Sequence, residues 1–143
     1  MPQLLERNGT CLCGAVNFTA KHMSTEVGVC HCNMCRKWGG GPYMEVDCGP
    51  EVSFAGAENI SLYQSSQWAE RGFCKQCGTH LFYRLKEDNL HMIPVGLLDV
   101  DDIEFTFKEQ VFIEEKPAFY SFSNDTKNSI GDESIAAFLA KKE

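Results

Sequence analysis

Phe73-Cys74-Lys75-Gln76-Cys77-Gly78-Thr79-His80-Leu81-Phe82-Tyr83-Arg84-Leu85 is the stretch that decides the fold. Its second half, His80–Leu85, carries the clearest alternation in the chain and predicts a half-buried strand. Its first half is a Cys-x-x-Cys-Gly knuckle. Backbone N–H groups in such a knuckle point at the sulfurs, and the glycine permits the tight turn. A redox Cys-x-x-Cys of thioredoxin type sits between a strand and a helix in an alternating α/β chain. This one lies between β runs, which favours metal binding.

About sixty residues earlier, Cys11-Leu12-Cys13-Gly14 forms a second short hook. Cys11, Cys13, Cys74 and Cys77 together can supply the four thiolates of a tetrahedral structural zinc, which would tie the first strand to the middle of the chain; the alternative is four unrelated buried thiols. Short β-type runs bounded by Gly, Pro, Asn and Asp recur elsewhere. Strands are predicted at Ala15–Ala20, Pro42–Asp47, Val52–Phe54, Ile60–Tyr63, His80–Leu85, Leu90–Val95, Gln110–Ile113 and Phe119–Phe122. Helical pattern is confined to a turn over Asn33–Trp38, ending at Gly39-Gly40-Gly41, and to a C-terminal segment. There Ile135, Phe138 and Leu139 repeat at helical spacing after a capping Asp132. The expected fold is mainly β, with antiparallel strands stapled by metal and a short C-terminal helix.

Seven of the eight cysteines fall into clusters, and the third cluster is Cys30-His31-Cys32-Asn33-Met34-Cys35. Three thiolates leave a tetrahedral ion one position short, and a vacant position can bind a substrate. Zinc held by three thiolates is a poor acidifier of water. It remains well suited to a thiol arriving from solution, whose pKa it lowers. Cys30, Cys32 and Cys35 therefore suggest an open, thiol-activating zinc site. Three other arrangements stay open at this point. His31 can serve as fourth ligand, Cys48 can reach back to close the site, or the cysteines can hold an iron–sulfur cluster.

The 143 residues suit one domain spanning 1–143 with a substantial core. The formal charge of −7 becomes about −10 once seven thiols ionise and two Zn²⁺ bind. Such a surface repels polyanions, and Lys and Arg are scattered, so nucleic acid is not expected as a partner. The first thirty residues carry Glu6, Arg7 and Lys21 and no apolar run of signal-peptide length. No stretch is long enough to span a bilayer, so no membrane partner is expected. A cytoplasmic location follows, where clustered cysteines are more often metal ligands than disulfides.

Three segments carry a family likeness: Cys11-Leu12-Cys13-Gly14-Ala15-Val16, Cys30-His31-Cys32-x-x-Cys35-Arg36-Lys37, and Arg71-Gly72-Phe73-Cys74-x-x-Cys77-Gly78-Thr79. With Gly96-Leu97-Leu98-Asp99 and Val111-Phe112-Ile113-x-x-Lys116-Pro117-Ala118-Phe119-Tyr120, the sequence resembles the glutathione-dependent formaldehyde-activating enzyme family, which includes the centromere protein V domains. The resemblance covers about residues 8–121. It implies a β-tent of packed antiparallel sheets, a structural zinc at Cys11, Cys13, Cys74 and Cys77, and a second zinc at Cys30, Cys32 and Cys35. It also implies glutathione as thiol partner and a carbon–sulfur lyase activity, with S-hydroxymethylglutathione formed from glutathione and formaldehyde. Two positions depart from the family pattern: Gln110 stands where a histidine is usual, and Phe119 where a tryptophan is usual. The alternative is a non-catalytic, zinc-stabilised binding or scaffold module.

Arg36 can offset the thiolate charge or hold a substrate carboxylate, and Trp38 can wall the pocket. Arg71 is read as structural, pairing with an acidic strand residue. His22, His80 and His91 lack ligand spacing. Asp99, Asp101, Asp102 and Glu104 read as a solvated turn.

Overall fold

The structure is a computed structural model that describes residues 3–101 and 105–141, with side chains described up to residue 136. Its strands begin with β1 (Leu4–Thr10), β2 (Asn17–Ser24) and β3 (Glu26–Cys30), followed by helix α1 (Asn33–Gly39). Strands β4 (Tyr43–Asp47), β5 (Val52–Ala55), β6 (Ile60–Tyr63), β7 (Ala69–Cys74), β8 (His80–Leu85) and β9 (Leu90–Pro94) come next. The chain closes with β10 (Thr106–Val111), β11 (Lys127–Ser129) and helix α2 (Gly131–Lys141). The fold is mainly β, with a short C-terminal helix, as the sequence pattern predicts.

The chain divides into two compact units. The first comprises Met1–Glu26 and Glu45–Phe105. In it β2 lies between β1 and β5, both pairings antiparallel, with Phe18 opposite Phe54. A second antiparallel ladder runs from residues 45–47 of β4 through β9, β8 and β7 to β6. Val16, Phe18, Ala20, Met23, Val46, Leu81, Phe82 and Ile93 are buried here. Phe54 stands 5.9 Å from Phe18 and 5.4 Å from Phe82, ring centre to ring centre. Tilted ring contacts of this kind add to the stabilisation from apolar burial.

The second unit comprises Val27–Met44 and Thr106–Glu143. Strand β10 lies between β3 and β11, and its pairing with β11 is parallel. Helix α1 follows β3 almost immediately, so Cys30, Cys32 and Cys35 sit where a strand ends and a helix begins.

The predicted strands at Ile60–Tyr63 and His80–Leu85 match β6 and β8 residue for residue, and those at 42–47, 52–54 and 90–95 match within one residue. Two others are offset, Ala15–Ala20 against Asn17–Ser24 and Gln110–Ile113 against Thr106–Val111. Phe119–Phe122 is not a strand. Lys116 takes the carbonyls of Pro117 and Tyr120 with its ammonium, so this segment curls around a cation and offers no ladder. Strands β1, β3, β7 and β11 lie outside the predicted runs. In β7 the reason is chemical, because Ala69-Glu70-Arg71-Gly72 is buried yet polar. Glu70 accepts from Arg84 Nε at 2.8 Å and Gln64 Nε2 at 2.8 Å, which makes its burial tolerable. These partners outweigh desolvation and hold the Glu70 carboxyl below its usual range.

Helix α2 is capped differently from the expectation. Glu133 accepts the Ile130 N–H at 3.0 Å, so Ile130 holds the cap position and Asp132 lies in the first turn. Ile135 is exposed; the side chains of Phe138 and Leu139, and residues Asp102 and Glu104, lie outside what is described. Among the described residues, no helix is long and apolar enough to cross a membrane.

Candidate metal centres

The first centre assembles from two turns of the first unit. Cys11 directly follows β1, and Gly14 closes the turn at φ +82° with its N–H donating to the Cys11 carbonyl at 3.2 Å. The knuckle after β7 repeats the device, with Gly78 at φ +79° and its N–H donating to the Cys74 carbonyl at 2.8 Å. A side chain at such φ values is strained, which explains a glycine after each hook. The sulfurs of Cys11, Cys13, Cys74 and Cys77 all lie within 4.8 Å of one another.

Two of the edges measure 3.7 Å from Cys11 Sγ to Cys13 Sγ and 3.8 Å from Cys13 Sγ to Cys74 Sγ. A tetrahedron with metal–sulfur bonds of about 2.3 Å has edges of about 3.8 Å. The four residues fit a metal ion of that kind. Val16 N–H donates to Cys11 Sγ at 3.4 Å, and Thr79 Oγ1 lies 3.2 Å from Cys77 Sγ. The Thr79 hydroxyl and backbone, with the Cys13 backbone, hold the Cys77 thiol down to about 5. Ala15 N–H pulls Cys13 the same way, but desolvation and the neighbouring sulfurs outweigh it and push that thiol up to about 12. Four sulfurs this close cannot all be thiolates without a cation among them.

The second centre lies in the second unit. The sulfurs of Cys30, Cys32 and Cys35 lie within 4.8 Å of one another, and the group has three members among the described residues. Cys32 is the N-cap of α1, and its sulfur accepts the Cys35 N–H at 3.4 Å. Glu115 Oε1 accepts the Asn33 N–H at 2.9 Å, satisfying a second orphan donor of the same helix end. Cys30 and Cys35 are buried while Cys32 is partly exposed, so the group has an inner and an outer side. The Cys32 and Cys35 sulfurs, then burial, drive the Cys30 thiol far up. Such a trio keeps protons until a cation replaces them.

His31 is not turned toward the sulfurs as a ligand in this group. Its ring is fully buried, with Nε2 2.8 Å from Gln110 Oε1 and Nδ1 2.7 Å from the Tyr120 hydroxyl. Burial lowers its pKa, and the charges of Lys116 and Arg36 add to that. Cys48 is buried in the other unit, and burial pushes its thiol up to about 12. Arg36 is anchored, its Nε donating to the His31 carbonyl at 2.9 Å. Trp38 is half-buried against Tyr43, ring centres 5.8 Å apart. Arg71 is buried in β7 with its guanidinium 4.6 Å above the Tyr83 ring. His91 Nδ1 lies 3.0 Å from the Gly49 carbonyl. Gln110, Thr79 and Glu115 were not singled out from the sequence as cluster supports. Each acts across a long separation or through a hydroxyl that no spacing rule marks.

A mainly β chain that gathers four thiols at tetrahedral spacing and three more at a helix start is a protein with two candidate thiolate metal centres. The model of the family described as glutathione-dependent formaldehyde-activating enzyme matches residues 6–115, and the chain belongs to that family. It is 38% identical over 136 residues to an uncharacterized lyase of Schizosaccharomyces pombe, covering 94% of this chain and 98% of that protein. A crystal structure of a Rhodobacter sphaeroides protein is 24% identical, with a TM-score of 0.56, and covers 68% of this chain and 90% of the other. That likeness concerns the fold alone.

Proposed function

We propose that the chain is a zinc-dependent carbon–sulfur lyase-type enzyme that adds a glutathione-type thiol to formaldehyde or a related small carbonyl, or runs the addition in reverse. The observation that carries this reading is the three-membered thiol group at Cys30, Cys32 and Cys35, partly exposed through Cys32. Family membership and the lyase name of the yeast relative support it.

Cys11, Cys13, Cys74 and Cys77 hold a structural zinc, and Cys30, Cys32 and Cys35 hold the second. Zinc bound by three thiolates offers an open position that favours the thiolate form of an added thiol near neutral pH. The chain's own groups do the positioning. Arg36, fixed through its Nε, sets a positive charge beside the cluster and can meet a substrate carboxylate. Trp38 walls the approach. In the addition, a sulfur lone pair forms the new carbon–sulfur bond and the carbonyl π pair moves to oxygen. That oxygen takes up the proton the thiol released, so thiol plus aldehyde gives hydroxymethyl thioether. Holding both reactants in line is the main rate contribution.

Native mass spectrometry of freshly purified protein, prepared without chelator, is the first test, and two zinc ions are expected. Calorimetric titration with glutathione follows, with heat that disappears in Cys30→Ser. One zinc and no Cys30-dependent heat would overturn the enzyme reading and put the non-catalytic binding module in its place.

A further inference from the structure

Five side chains of the second unit form one hydrogen-bonded chain, and the placement of its amide atoms gives it a direction. Thr126 Oγ1 donates to Asn128 Oδ1 at 2.7 Å, and Gln110 Nε2 donates to Thr126 Oγ1 at 2.9 Å. That orients the Gln110 amide, leaving its Oε1 against His31 Nε2 at 2.8 Å. A carbonyl oxygen only accepts, so His31 carries its proton on Nε2. In the neutral ring Nδ1 is then bare, and the Tyr120 hydroxyl at 2.7 Å must donate to it. Gln110 and His31 are buried, while Tyr120 is not and adjoins Phe119, which is 86% exposed.

We propose that Gln110 is a positioning residue: it holds His31 in the Nε2–H form, commits the Tyr120 proton to His31, and so presents the Tyr120 oxygen to substrate as a hydrogen-bond acceptor. The substrate clause rests on the function proposed above. A thiol–carbonyl adduct carries a hydroxyl that can donate to this oxygen, whereas the free aldehyde has only an acceptor. Tyr120 thereby favours the adduct over the bare carbonyl. Without Gln110 the ring is free to carry its proton on Nδ1, Tyr120 turns to accept from it, and its own proton faces outward.

The test is a long-range proton–nitrogen correlation spectrum of the metal-loaded full chain with ¹⁵N-labelled histidine. The wild type is expected to show His31 protonated at Nε2 and bare at Nδ1. Gln110→Met should shift the ring toward the Nδ1–H form. Thr126→Val, which only frees the amide to rotate, should shift it partly and covers the case in which Gln110→Met fails to fold. A wild-type Nδ1–H ring, or a ring unchanged in whichever variants fold, overturns the proposal. In turnover of the adduct, Gln110→Met and Tyr120→Phe should each lose about tenfold, the worth of one hydrogen bond. The double variant should be no worse than Tyr120→Phe alone, and additive losses overturn the link. A wild type with no turnover on any thiol adduct removes the proposed function and the substrate clause, while the ring state still decides the role of Gln110.

Discussion

The two cysteine clusters differ in how far the chain travels to build them. Cys13 and Cys74 are 61 residues apart in sequence yet have sulfurs in contact, so a metal there closes a long loop. Cys30, Cys32 and Cys35 come from six consecutive residues, so a metal there closes almost none. Closing a long loop removes conformational freedom from the unfolded chain, and the stabilisation grows with loop length. Four ligands satisfy a tetrahedral ion, and three do not. In the function proposed above, the first cluster accordingly serves stability and the second serves chemistry.

The strongest way to break this contrast is to remove a hook ligand. Cys74→Ser should lose the structural metal and with it cooperative folding. Metal-coupled folding of such sites is worth on the order of 10 kcal/mol, comparable to the whole stability of a domain. A circular dichroism melt with metal analysis checks it, and an unchanged melting temperature would sink the structural role. Cys35→Ser should behave oppositely. We expect one zinc in place of two, turnover lost, and a stability cost of about 1–2 kcal/mol for the altered buried side chain. Full zinc content with full turnover would show the open-site mechanism to be wrong.

Acid should separate the two centres as well. In the hook cluster the Cys13 thiol is pushed up to about 12 but the Cys77 thiol is held down to about 5, so that ion keeps one sulfur protons do not claim near neutral pH. Cys30 is driven up by its sulfur neighbours, and a metal must displace its proton at every working pH. As pH falls from 8 toward 5, the ion of the three-cysteine group should leave first and the hook ion later. Zinc release followed with a colorimetric chelator would show two steps. A single step, or the reverse order traced with Cys35→Ser, would contradict the contrast.

Much of this was legible because it is local. Hook spacing, the glycine after each hook, and the β-type runs of β6 and β8 are written within a few residues. What escaped depends on distance. His31 meets Gln110 and Tyr120 across 79 and 89 residues, and Glu115 caps Asn33 across 82. No periodicity signals such pairings. Strand β7 escaped for another reason: its buried Glu70 is paired with Arg84 and hydrogen-bonded by Gln64, which apolar patterning cannot register. Phe119–Phe122 reads as one of the short β-type runs, yet Lys116 claims the carbonyls of Pro117 and Tyr120.

The smallest expected effect concerns Thr79, which serves both hooks at once. Its Oγ1 accepts the Leu12 N–H at 3.1 Å across 67 residues and lies 3.2 Å from Cys77 Sγ. Thr79→Val keeps the shape and removes the oxygen. The Leu12 contact is exposed, so water replaces part of it and the stability loss should be about 1 kcal/mol, a few degrees in melting temperature. Both metals should stay bound at neutral pH. The Cys77 thiolate, however, loses its largest source of stabilisation, so its pKa rises and protons begin to compete at higher pH. The later acid-release step should therefore move upward toward the earlier one, which stays in place because Cys30, Cys32 and Cys35 do not involve Thr79. Movement of the earlier step alone would mean that the two release events had been assigned to the wrong clusters.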